Sequence, residues 1–135
     1  MLERDKMNNF KIQFVVDKIM GRCWSTAAGI RYEDGLWMCE NDIRDLANDL
    51  IKFSDTTRDS YWITCLSTTP IRNIISKYRW ENHGTVYSFD EAEKMQIINL
   101  CIRQIKLRME NYIGTGSIQY RIWDNGDVGL RYIAP

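Results

Sequence analysis

Apolar and polar residues alternate along NNFKIQFVVD, where Phe10, Ile12, Phe14 and Val16 occupy every second position. Period two is the mark of a half-buried strand, so a strand is expected there. Two further strands are expected in GIRYEDGLWMC, where Asp34-Gly35 between aromatic-rich runs signals a tight hairpin ending near Cys39. The period then changes. In NDIRDLANDLIKF, Ile43, Leu46, Ala47, Leu50 and Ile51 recur at spacings of three and four, which predicts an amphipathic helix capped by Asn41 or Asp42.

YWITCLS predicts a strand from Tyr61 to Leu66. TTPIRNIISKY predicts a short helix with Thr69 as cap, Pro70 as its first residue, and Ile71, Ile74, Ile75 and Tyr78 on the buried side. After Trp80, His83-Gly84 reads as a helix-ending turn. The longest helix is expected near residues 89–113, opened by a Ser88/Glu91 capping box and stopped at Gly114. Met95, Ile98, Ile102, Ile105, Met109 and Tyr112 form its apolar stripe, with Gln96, Asn99, Arg103, Lys106 and Glu110 opposite. Leu100 and Leu107 lie to one side, so this helix should be covered on two sides.

The last segment, SIQYRIWDNGDVGLRYI, holds two alternating runs around Asp124-Asn125-Gly126-Asp127, a second hairpin. Ile118, Tyr120 and Ile122 share one face of its first arm, as Val128, Leu130 and Tyr132 do of its second. The predicted order is β-β-β-α-β-α-α-β-β. It implies an α+β fold: a mainly antiparallel sheet packed against the long helix and two shorter ones. At 135 residues and 16.0 kDa, residues 1–135 are expected to form a single compact domain.

Composition narrows the function classes. Eighteen basic and eighteen acidic residues leave a net charge of zero, so no long-range field draws the chain to phosphate or membrane. No apolar run is long enough to span a bilayer, and the charged, mixed start MLERDKMNNF does not resemble a signal peptide. A cytoplasmic location is therefore expected. Cys23, Cys39, Cys65 and Cys101 are widely spaced and there is one histidine, so neither a zinc site nor any cofactor is expected, and the thiols read as small apolar packing residues. Asp42, Asp45 and Asp49 lie three and four apart on one helix and read as a solvated face.

One short motif carries chemistry. Gly21-Arg22-Cys23-Trp24 resembles the Gly-x-Cys-Trp neighbourhood of the nucleophile in papain-like cysteine hydrolases. That resemblance implies Cys23 as nucleophile, His83 as base and Asp124 or Asn125 as the group orienting the imidazole, in the family's chain order. The match covers four residues. The family's nucleophile opens a long helix, whereas CWSTAAG is followed by Gly29, Asp34 and Gly35. A packing role for Cys23 is therefore the primary expectation, with no catalytic set favoured.

Five tryptophans and seven tyrosines exceed what one core of this size needs. Trp, Tyr and Arg are the residues that anchor interfaces. Trp62, Arg121, Trp123 and Arg131 are placed on sheet faces turned from the helices, and Arg121 could stack over Trp123 as a cation–π pair. Arg72, Arg79 and Trp80, with Lys77 and Tyr78, make a second, basic and aromatic cluster suited to single-stranded nucleic acid or an acidic partner. The leading expectation is a small protein-interaction or inhibitor module, of the toxin-immunity or phage anti-defence kind, acting on another protein. A homodimer, a cysteine hydrolase and a single-stranded nucleic-acid binder are the alternatives.

Overall fold

Ile12, Val15, Val16, Ile19 and Met20 recur at spacings of three and four, and in the computed structural model they are the buried stripe of a helix, α1 (Glu3–Cys23). The strand expected over residues 10–16 is thus corrected to helix. Ile12 and Val16 join the stripe, Phe10 is exposed, and Phe14 meets Tyr87 edge-on with ring centroids 5.6 Å apart. The structure describes residues 3–23, 31–32, 35–36, 40–54 and 62–135. Trp24, Trp37 and Cys39 lie outside the described residues.

A two-stranded ribbon, β1 (Arg31–Tyr32) and β2 (Gly35–Leu36), pairs Tyr32 with Gly35. Gly35 therefore belongs to an arm of the hairpin, not to its turn. α2 (Glu40–Ser54) buries Ile43, Ala47 and Leu50, while Asp42, Asp45 and Asp49 are solvated. β3 (Ile63–Ser67) leads through Thr68 into α3 (Thr69–Lys77), which buries Ile71, Ile74 and Ile75. The cap is Thr68, one residue earlier than expected. Its hydroxyl makes no bond to the helix; it donates to the Gly126 carbonyl at 2.7 Å, and its own N–H donates to the same oxygen at 2.8 Å.

Residues 80–87 form a hairpin that replaces the expected helix-ending turn. β4 (Trp80–Asn82) pairs with β5 (Thr85–Tyr87), and His83 and Gly84 both have positive φ, the backbone of a two-residue type I′ turn. α4 (Glu91–Ile113) is capped by Asp90, which accepts from the Glu93 N–H while the Glu93 carboxylate accepts from the Asp90 N–H. Two overlapping boxes exist in SFDEAE, and the one two residues later than Ser88/Glu91 is used. Gly114 ends the helix as expected. Lys11 of α1 bonds Glu93 at 2.6 Å and the Ser88 carbonyl at 3.1 Å, pinning α1 to this cap.

β6 (Ser117–Ile122) and β7 (Asp127–Ile133) form the last hairpin, and β7 also pairs with β3, giving an antiparallel sheet of order β3-β7-β6. A bulge between Thr64 and Leu66 lets both Ile63 and Leu66 meet the core opposite Leu130 and Val128. α4 packs on β6 and α2 on β7, and α1, α2 and α3 all pack on α4. The buried side of α4 is consequently broader than one stripe: Ile97 and Cys101 join Ile98, Ile102, Ile105 and Met109, while Tyr112 is exposed. The fold is α+β, with the long helix against the sheet. Among the described residues no helix is long and apolar enough to cross a membrane.

Candidate functional site

The register decides which side chains share the outer face of the sheet. Tyr120 opposite Leu130 and Ile122 opposite Val128 point toward the helices, so Gln119 opposite Arg131, and Arg121 opposite Gly129, point away. On the far strand Thr64 stands across from Gly129 and is exposed. Four residues singled out in the sequence converge on this face. The Arg131 guanidinium lies over the Trp62 ring, 4.4 Å from its centroid, and its Nε donates to Gln119 Oε1 at 2.8 Å. The Arg121 guanidinium lies 5.8 Å from the Trp123 ring.

Trp123 is held flat by a missing side chain. A Cβ on Gly129 would lie 2.5 Å from Trp123 Cζ3 and closer still to Cη2, so the indole rests directly on the backbone of the central strand. Trp123 N–H donates to the Asp127 carbonyl and Gly126 N–H to the Trp123 carbonyl, both at 2.9 Å, which closes the β6–β7 turn beneath the ring. Gly129 was not among the expected site residues. Its signal is a glycine inside an alternating strand, which marks close approach by another group.

No protein family, curated protein or solved structure matches this chain.

The second predicted cluster is divided by the fold. Trp80 is buried, and its Nε1–H donates to the Ile75 carbonyl at 3.0 Å, so its ring is engaged in packing and offers no stacking platform. Arg79 is exposed and pairs with Glu81 at 3.1 Å. Arg72 turns toward α4, where it pairs with Glu91 and donates from Nη2 to Met95 Sδ at 3.0 Å.

The residues of the hydrolase motif lie on three different elements. Cys23 is the last residue of α1. His83 is exposed at the tip of the β4–β5 hairpin. Asn125 is engaged by its own turn: Oδ1 accepts from the Asp127 N–H at 3.0 Å and Nδ2 donates to Asp127 Oδ2 at 3.1 Å. Asp124 is exposed in the same turn, on the rim of a cleft of about 710 Å³ between the start of α3, the first turns of α4 and β6. Arg72, Asn99, Tyr120 and Trp123 line that cleft with it.

Proposed function

We propose that this chain is a small protein-interaction module of the inhibitor type, like toxin-immunity or phage anti-defence proteins, and that it holds its partner on the outer face of the β3-β7-β6 sheet. The observation that carries this reading is the pair of guanidinium-over-indole stacks, Arg131 on Trp62 and Arg121 on Trp123, on the side of the sheet opposite α2 and α4. Trp and Arg are the commonest anchors of protein interfaces. Side chains already stacked lose less freedom on binding than mobile ones. A guanidinium lying on a ring still directs its N–H groups sideways, so the face suits a partner that supplies carboxylates.

The test is affinity capture from a lysate of the organism that carries the protein, comparing wild type with the double variant Trp62→Ala/Arg121→Glu. The reading expects one species retained by wild type and by Cys23→Ala but lost with the double variant, measured at a temperature where circular dichroism shows the variant folded with wild-type helical content. Retention of the same species by the double variant overturns it. A second copy of the chain on this face would instead register as a dimer by light scattering, abolished by the same substitutions.

A further inference from the structure

The sheet ends in an open edge. β7 is paired on both sides, whereas among the described residues β6 has a neighbour on one side alone. Trp123 N–H donates to the Asp127 carbonyl, so Arg121, Gln119 and Ser117, at every second position before it, are the residues that bond to β7. Ile118, Tyr120 and Ile122 therefore turn their N–H and C=O groups outward. Ile118 N–H is met by Glu110 Oε2 at 2.9 Å. The backbone groups of Tyr120 and Ile122 have no partner among the described residues. Natural sheet edges are blunted by proline, lysine, a bulge or a cover. β6 contains neither proline nor lysine, and its register with β7 is unbroken from Ser117 to Ile122.

The surroundings favour one kind of occupant. Glu110 reaches the edge from α4, and Met95, Asn99, Arg103 and Lys106 share its stripe at helical spacings, so this flank of α4 runs beside β6. Ile118 is fully buried there. Tyr120 and Ile122 are only half-buried, where α4 and β6 part at the cleft of about 710 Å³ that Met95 and Asn99 also line. Arg72 pairs with Glu91 and Lys106 with Glu110, so the remaining charge around the edge is Arg103, Arg121 and Arg131 against Asp124. The surplus is positive and calls for carboxylates.

We propose that the open edge of β6 takes an extended acidic segment of the partner as a fourth, antiparallel strand, with carboxylates toward Arg121 and apolar side chains turned into the cleft. This rests on the reading of the chain as a protein-interaction module and names how the partner is gripped: by backbone bonds to Tyr120 and Ile122. In antiparallel pairing the residue opposite Tyr120 exchanges both backbone bonds with it and points the same way, inward. Its two neighbours point outward, beside Gln119 and Arg121. The inward residues of the segment are thus the ones whose N–H groups bind.

Titration of the isotope-labelled full chain with the acetylated, amidated hexapeptide Glu-Val-Glu-Val-Glu-Val, followed by amide NMR shifts and exchange, tests this. The Tyr120 and Ile122 amides are expected to shift saturably and gain protection, while Ile118, already bonded to Glu110, gains none. N-methylation of the three valines should weaken binding by roughly tenfold or more, whereas N-methylation of the three glutamates should leave it nearly unchanged. Arg103→Glu, at an exposed position of α4 away from the outer sheet face, should weaken the peptide by roughly two- to fivefold, and Lys-Val-Lys-Val-Lys-Val should bind less than either. Absence of saturation below about 5 mM, or equal effects of the two N-methylations, overturns the assignment. Protection of Tyr120 that rises with protein concentration in the free chain also overturns it, because a second copy then occupies the edge. Peptide binding is read without the captured partner and without Trp62, so a failure here leaves the partner-capture result standing, and a failed capture with peptide still bound sinks the outer face alone.

Discussion

Gly129→Ala is the sharpest probe of how the outer face is built, because the same substitution should change sign with its neighbour. The added methyl would occupy the space of the Trp123 ring, so the indole must leave the backbone of β7. Trp123 is half-buried; releasing roughly 100 Å² of ring at about 25 cal/mol per Å² costs about 2.5 kcal/mol. Against this, alanine is better than glycine inside a strand by about 0.5–1 kcal/mol, and no positive φ at Gly129 penalises it. Gly129→Ala should therefore destabilise the wild-type chain by about 1.5–2 kcal/mol.

In a Trp123→Ala background the obstruction is gone. The same change should then stabilise by about 0.5–1 kcal/mol, giving a coupling energy of about 2–3 kcal/mol between the two positions. Urea unfolding followed by far-ultraviolet circular dichroism measures all four chains without relying on the tryptophan signal that the cycle removes. An equal loss of stability in both backgrounds would refute the stacking of Trp123 on Gly129. The docking face would then lack its floor.

Other parts of the structure make separate demands. Asp90→Ala should lower stability by about 0.5–2 kcal/mol in urea unfolding, whereas Ser88→Ala should be near neutral, because only Asp90 caps α4. Thr68→Val keeps the shape but removes the hydroxyl bond to Gly126, which should lower stability by about 1 kcal/mol and speed amide exchange in the β6–β7 turn. Cys101 is completely buried on α4, so iodoacetamide should modify it only on unfolding; labelling as fast as that of a small thiol would contradict the packing of α4. Ile102→Ala should remove about 2–5 kcal/mol, since α4 lies at the centre of the helical packing.

The helices and hairpins that bury one face with a single period were legible in the sequence. α2 shows its helix at Ile43, Ala47 and Leu50, and the β6–β7 hairpin shows its two faces without ambiguity. α1 carries two periods at once. Phe10, Ile12, Phe14 and Val16 alternate, but Ile19 and Met20, beyond that short window, extend the run of Ile12, Val15 and Val16 into a helical face. Burial of the longer pattern prevails, and Phe10 is left in solvent.

The β4–β5 hairpin was hidden for a different reason. Its arms have three residues each, too few to display a period, and its turn uses histidine where asparagine or aspartate usually stands before glycine. Histidine is among the few residues that tolerate this backbone. At the outer face, Trp62, Arg121, Trp123 and Arg131 could be read from alternation alone. The cleft could not: Arg72, Asn99 and Tyr120 are brought together by contacts among α3, α4 and β6, which no local spacing encodes.

The most direct test of the docking face is a hydrogen-exchange and crosslinking footprint of the chain with its captured partner. Protection of the β6 and β7 amides, with crosslinks at Thr64, Gln119 and Arg121, is the predicted result. A footprint confined to α1 or the β4–β5 hairpin, with Gln119 and Arg121 as accessible as in the unbound chain, would contradict it.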